Sequence, residues 1–280
     1  MAVFHTPMIT LSDGNLIPQI GLGVLRIDDE GVTPVVESAL EAGYRHIDGA
    51  AGYNNEAGVG RALKNAGFTQ GENRKNLWVT TKLRDSEQGY DSARKAFDRQ
   101  LDLLQLDYVD MYMLHWPTPF DWRSGETWKA FDEFRAEGRV RTLGVCNFLP
   151  EHLERLHKET GEYPAVNQIE CHPLWNRKPL IAFCRSHGIA VQAYAPLARG
   201  LYLNREIMQQ LAEKYVRTEA QIGLRYLVQQ GISVIPKSTQ PDRIFANADV
   251  FDFELSEADM ALIDTMDEQL RSASIPDDLL

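Results

Sequence analysis

The sequence is poor in cysteine, in long apolar runs and in positive charge, and each shortage removes a class of protein. Its three cysteines, Cys146, Cys171 and Cys184, are odd in number and lack a CxxC spacing, which excludes a disulfide framework and the common zinc patterns. They read as buried free thiols of a reducing compartment. No stretch approaches the roughly 18 consecutive apolar residues of a membrane span, and the opening MAVFHTPMITLSDG has no basic region followed by an apolar one. A cytoplasmic protein with no membrane partner is expected. Lys and Arg number 29 against 40 Asp and Glu, a formal net charge of -11, and no block of five like charges marks a tail. That balance argues against nucleic acid as a general partner. It also repels anions, so a phosphorylated ligand would need positive charge placed locally.

Two further absences bear on chemistry. Gly21-Leu22-Gly23 is followed by Val24-Leu25-Arg26, so the GxGxxG fingerprint of a Rossmann crevice fails, and the GxG reads as a tight strand-end turn. No HxH pair ends a strand, and His5, His46, His152, His157, His172 and His187 are scattered, which argues against a metal-dependent hydrolase. No metal is expected.

What is present is alternation. Short apolar, β-branched runs occur at Gln19–Gly23, Arg45–Asp48, Leu77–Thr81, Val109–Leu114, Thr142–Cys146, Ala165–Glu170, Ala190–Tyr194 and Ser233–Pro236. Segments of helical period lie between them. Residues 33–43 illustrate their ends, with Thr33 as cap, Pro34 in the first turn and Gly43 beyond the last. Gly67, Gly138, Gly161, Gly188 and Gly231 close other helices in the same way. Strands that alternate with helices must run parallel, and eight such units without a linker predict one α/β domain over residues 1–280, a (β/α)8 TIM barrel. Asp13-Gly14, between Met8–Leu11 and Leu16–Pro18, predicts a β-hairpin ahead of the barrel that could plug its bottom. A last helix is expected around Glu257–Met266.

In such a barrel the site lies at the C-terminal ends of the strands, so polar residues that end apolar strands are candidates. Asp48, Lys82 and His115 end the second, third and fourth strands, and Tyr53 follows the second. Their chemistry suits carbonyl reduction. Hydride attack leaves an alkoxide, which needs a proton donor and a polarising hydrogen bond. Tyr53 can be the acid if an ammonium lowers its pKa; Lys82 would supply that charge, Asp48 would hold Lys82, and His115 would orient the carbonyl as a neutral donor. Taken singly, each has an ordinary alternative: a surface lysine, a helix cap, a loop aromatic, a hydrogen-bonded core histidine. Their joint placement on adjacent strand ends favours chemistry.

At these residues the sequence resembles the aldo-keto reductases. The stretch from Gly43 to Gly60 (GYRHIDGAAGYNNEAGVG) is similar to that family's first signature, and separations of 5, 29 and 33 residues match its Asp, Tyr, Lys, His tetrad. Leu114–Pro117, Val166–Pro173 and Ile235–Ser238, followed by Arg243 and Asn247, extend the resemblance. It implies a barrel of aldo-keto reductase type that reduces a small-molecule carbonyl with NADPH as a monomer, with Asp48, Tyr53, Lys82 and His115 catalytic and Tyr53 the proton donor. It further implies Asn147 and Gln168 on the nicotinamide carboxamide, Tyr194 stacked on its ring, Lys237, Ser238 and Arg243 on the adenosine 2′-phosphate, and Asn247 near the adenine. Arg offers phosphate a planar fork and Lys a point charge, the local positive charge an acidic chain requires. The alternative is a barrel that binds the cofactor for regulation without turnover.

Some positions depart from the family pattern. Cys146 replaces a Ser before Asn147, Ala246 stands where an acidic residue often contacts adenine, and Gln240 where an Arg often lies near the phosphate. At the substrate-facing positions, Leu25 replaces an aromatic residue and Arg84 a Trp, while Trp116 keeps the aromatic pattern. Arg84 in the pocket wall would favour a carboxylate or hydroxyl-rich substrate; the ordinary reading turns it to solvent or pairs it with Asp85 or Glu87. Tyr53–Glu56, Gly144–Phe148 and Val250–Leu255 are similar to bacterial 2,5-diketogluconate reductases, which implies keto-sugar acids or small dicarbonyls as substrates.

Overall fold

The computed structural model describes residues 6–273; His5 and the two ends of the expected domain, 1–5 and 274–280, lie outside the described residues. Among the described residues ten strands are formed: β1 (Met8–Thr10), β2 (Leu16–Pro18), β3 (Leu22–Gly23), β4 (His46–Asp48), β5 (Trp78–Leu83), β6 (Val109–Leu114), β7 (Val140–Cys146), β8 (Val166–Glu170), β9 (Ala190–Tyr194) and β10 (Ser233–Val234). From β3 to β10 the strands pair in chain order and in parallel. The ring closes where Ile20 bridges Val234, with Gly21 N donating to Val234 O and Val234 N to Gln19 O, both at 2.9 Å. Closure pairs the two edges of the eight-stranded sheet with each other and fixes the strand ends relative to one another.

Helices cover the outside because each presents one apolar stripe. Val32–Glu41 buries Val32, Val35, Val36, Ala39 and Leu40, the i, i+3, i+4, i+7, i+8 pattern, against the outward faces of the strands. Its start differs from the expectation. Gly31 is the N-cap residue, its N–H donates to Asp28 Oδ1 at 2.6 Å, and Thr33 Oγ1 instead donates to Gly58 O at 2.9 Å in the next helix. The glycines expected to end helices, Gly67, Gly138, Gly161, Gly188 and Gly231, have φ between 71° and 84°, the left-handed region that a side chain resists. The last helix spans Glu257–Asp264.

Gly21 and Gly23 are not turn residues, contrary to the reading of the GxG. Both lack a positive φ. A Cβ on Gly21 would lie 2.6 Å from the His46 ring, and one on Gly23 2.9 Å from Ile235 O. These glycines let the first strand approach its neighbours on both sides where the barrel closes.

The hairpin of β1 and β2 is antiparallel, with Ile9 opposite Ile17. Leu11 and Ile17 pack on Trp78, Met111, Ala165 and Val166, near the N-terminal ends of β5, β6 and β8. Thr142 Oγ1 donates to Asp13 Oδ2 at 2.7 Å, tying the turn to β7. The hairpin therefore closes the end of the barrel opposite the strands' C-termini. Ile17 is 1% exposed, so Ile17→Ala should leave a cavity in this plug and cost about 2–5 kcal/mol, measured by urea unfolding. A loss below about 0.5 kcal/mol, the range of an ordinary surface change, would mean that the hairpin contributes little to the core.

Candidate active site

Side chains alternate between the barrel interior and the helix layer, so residues two apart share a face. On the inward face Asp48 ends β4, Lys82 is the penultimate residue of β5, Cys146 ends β7 and Tyr194 ends β9, while His115 follows β6 directly. Tyr53 closes a single 3-10 turn, Ala51–Tyr53, just after β4. These positions converge. Lys82 Nζ lies 2.5 Å from Asp48 Oδ1, 2.9 Å from Gly49 O and 3.4 Å from the Tyr53 hydroxyl. The Tyr53 and His115 rings meet edge to face at 5.8 Å between centroids. With Lys82 0% and Asp48 1% exposed, their ion pair is shielded from water, and such a pair is tolerable only when its remaining groups are satisfied. Gln168 meets that condition, donating from Nε2 to Asp48 Oδ2 at 2.8 Å.

The electrostatics follow from burial and from this one pair. Burial opposes the charge on Lys82, yet the Asp48 carboxylate more than offsets it and raises the lysine above its ordinary range. Burial pushes the Asp48 carboxyl up, and Lys82 and Gln168 draw it only part of the way back. Burial also pushes Tyr53 up to about 12, with Lys82 pulling down and Asp48 pushing up again. The expected lowering of the Tyr53 pKa is therefore not met: desolvation exceeds the pull of an ammonium already compensated by its own carboxylate. Burial, then the charges of Lys82 and Arg84, hold His115 down at about 3, which favours the neutral ring.

The chain just beyond the turn that carries Tyr53 is tied down by its own side chains. Asn55 Nδ2 donates to Val24 O at 2.9 Å and Ile27 O at 2.8 Å. Glu56 Oε1 accepts from Thr81 Oγ1 at 2.5 Å and Gln100 Nε2 at 2.9 Å. Sequence reasoning placed these two residues in the signature without a task for each. Their type was the available signal, since a buried Asn or Glu must find partners.

A cavity of about 560 Å3 opens above the pair. Of the expected site residues, Leu25, Asp48, Tyr53, His115, Trp116, Asn147, Gln168, Tyr194 and Lys237 line it. Lys82 sits beneath the floor. Asn147 is held by a bond from its Nδ2 to His115 O at 3.1 Å, and it accepts from the Tyr194 hydroxyl at 2.9 Å. Cys146 is buried, with Sγ 3.6 Å from Gln168 Oε1 and 3.8 Å from Met113 Sδ. Arg84 is not a wall residue. Its Nη2 donates to Ala51 O and Asn54 Oδ1, both at 2.8 Å, and Glu87 pairs with Arg99 rather than with it.

Ser238, Arg243 and Asn247 do not line the cavity but gather at the helix Pro241–Ala248, whose N-cap residue Gln240 makes no side-chain cap bond. Ser238 Oγ accepts from Gln240 N at 3.1 Å. Lys237 and Arg243 are exposed and have no ion-pair partner among the described residues. Free cations beside a helix N-terminus suit an anionic group. Two cations escaped sequence reasoning: Arg26 and Arg199 also line the cavity, at φ 60° and 51°. Residue type gives no sign of these left-handed conformations, which Arg seldom adopts. At the rim Ala273 lines the cavity, held by Glu170, whose Oε1 accepts from Ser272 N at 2.6 Å and Ala273 N at 3.1 Å.

Comparison with known proteins gives one family. The model of the Aldo/keto reductase family matches residues 19–268. An aldo-keto reductase of Mycolicibacterium smegmatis is 46% identical over 97% of each chain. The methylglyoxal reductase DkgA of Escherichia coli is 43% identical over 96% of this chain and 97% of its own. The crystal structure of a Bombyx mori aldo-keto reductase in complex with NADP superposes with a TM-score of 0.90 at 37% identity, covering 98% of this chain and 96% of that one. Likeness of this extent amounts to membership: the chain belongs to the aldo-keto reductase family, and it is an NADPH-dependent enzyme that reduces carbonyl groups.

Proposed function

We propose that the protein reduces small polar aldehydes and ketones, keto-sugar acids or dicarbonyls among them, with Tyr53 as the proton donor. The observation that carries this reading is the Tyr53 hydroxyl 3.4 Å from a buried ammonium, beside neutral His115 at the cavity floor. When bound, NADPH supplies the hydride. The chain's own residues provide the rest. His115 hydrogen-bonds and orients the carbonyl oxygen, and Tyr53 passes its hydroxyl proton to that oxygen as charge develops there. Its high pKa keeps the proton in place until then. Lys82, fixed by Asp48, stabilises the phenolate left behind, a charge that burial alone would make costly.

The residues present fit the cofactor. Tyr194 and Asn147 flank the inner cavity, and Gln168, whose Nε2 is committed to Asp48, would offer its Oε1, now 3.6 Å from the Cys146 thiol, to a carboxamide donor. Lys237 and Arg243 offer unpaired positive charge for the 2′-phosphate, and Arg26 and Arg199, which line the same cavity, would suit the diphosphate. Ser238 supports the phosphate end and Asn247 the adenine. The nicotinamide end and the substrate must share one cavity of about 560 Å3, which supports a small carbonyl. Leu25 and Trp116 supply its apolar wall. The Escherichia coli relative is named for methylglyoxal, a small dicarbonyl, in keeping with this class.

Tyr53→Phe keeps the ring and removes only the acid, so NADPH should still bind by fluorescence while kcat falls about a hundredfold or more. Retention of most of kcat would assign the proton to another group. With His115 at about 3 and Tyr53 at about 12, both stay in the required state near neutrality. The kcat/KM profile for reduction should accordingly be flat from roughly pH 5 to 9. A limb near the ordinary histidine value would show that His115 titrates and acts charged. Lys237→Ala and Arg243→Ala should each weaken NADPH about ten- to a hundredfold and leave NADH nearly unchanged. Equal losses for both cofactors would show that neither residue reads the 2′-phosphate.

A further inference from the structure

Arg84 lies two residues past Lys82, and its contacts run sideways into the turn that carries Tyr53. Its two acceptors, Ala51 O and Asn54 Oδ1, bracket the tyrosine, one opening the 3-10 turn and the other, at φ 55°, closing it. The turn's own bonds are Tyr53 N to Ala50 O at 3.0 Å and Asn54 N to Ala51 O at 3.3 Å, so the guanidinium supplies the shorter bond on the Ala51 carbonyl. Short 3-10 segments are poorly held by their own hydrogen bonds, and Gly52 and Asn54 are exposed and offer little packing. Asn55 and Glu56 fix the chain beyond the turn, but neither reaches residues 51–54.

We propose that Arg84 is a positioning residue that locks the Ala51–Asn54 turn to the end of β5 and so fixes the Tyr53 hydroxyl against Lys82. The inference rests on the reading of Tyr53 as proton donor. The end of β5 then holds the tyrosine from beneath through Lys82 Nζ, and the residue that follows the strand, Arg84, holds the turn on either side of it. A guanidinium suits the second task, since its bonds are charge-assisted and it can serve two acceptors at once. Its charge also falls on His115, where, after burial and Lys82, it favours the neutral ring. This role differs from substrate recognition, because the guanidinium is absent from the cavity wall and engaged with the turn.

The test is a cycle of Arg84→Leu and Tyr53→Phe, read by single-turnover loss of NADPH absorbance at excess enzyme, with a neutral aldehyde and a keto acid of similar size. Arg84→Leu should slow turnover about ten- to a hundredfold, the range expected of a misplaced reacting group. The loss should be equal for the two substrates, with KM and NADPH affinity near wild type. In the Tyr53→Phe background the same change should add little, because both act through one hydroxyl. Arg84→Lys, or guanidinium added to Arg84→Ala, should restore part of the rate. Asn54→Gly keeps a left-handed turn residue and removes one acceptor; it should give a smaller loss, and it decides the matter if Arg84→Leu does not fold. A loss confined to the keto acid, equal losses in both backgrounds, or no loss in either Arg84→Leu or Asn54→Gly would overturn the proposal. Full activity of Tyr53→Phe alone would instead overturn the donor reading, in an arm that leaves Arg84 untouched.

Discussion

The ion pair between Lys82 and Asp48 is the constraint around which the upper barrel is arranged. Both side chains are closed off from water, and removing either partner would strand a charge at a cost of about 3–5 kcal/mol. Everything near it answers to that. Gly49 O and Gln168 occupy the remaining bonding sites, Tyr53 takes up the outward side of the ammonium, and His115 and His46 are kept neutral by burial and by the same positive charge. The barrel's closure lets such a pair exist, because neighbouring strand ends are held in register and cannot relax to admit water.

On the proposed role of Tyr53 as donor, that arrangement lets the tyrosine act as an acid without a low pKa. A donor is required to hold its proton in the resting enzyme and to release it only as negative charge grows on the carbonyl oxygen. Burial secures the first requirement, and the ammonium a short distance away favours the second. Asp48 holds Lys82 in place but also cancels much of its field at Tyr53. The resting state and the reacting state are therefore served by different parts of one charge arrangement.

Much of this was legible in the residues. The eight apolar runs, the glycines that end helices and the Asp13-Gly14 turn gave strand order, parallel pairing and the hairpin, because each is a local rule. The positions of Asp48, Lys82 and His115 marked three strand ends about one repeat apart, with Tyr53 just past the first, and the structure brings the four together. Other features depended on neighbours distant in the chain. Thr33 looked like a cap, but a glycine preceded it and Gly58 O was within its reach. Gly21 looked like a turn residue and is instead a space left for the His46 ring. Arg84 looked like a pocket wall, since its position two residues past Lys82 was readable but the direction of a long side chain was not. The sign of the Tyr53 shift was missed because pairwise charge can be read from a sequence and the depth of burial cannot.

The proposed proton transfer requires Lys82 to be an ammonium under working conditions, made so by Asp48 despite its burial. Carbon and nitrogen NMR of labelled lysine, with the Lys82 signal assigned by its loss in Lys82→Met, reports that charge directly. The Lys82 signal should keep its ammonium shift up to at least roughly pH 10, the ordinary lysine value. A Lys82 signal that titrates near neutrality would show the lysine to be neutral in the working enzyme and would contradict the account.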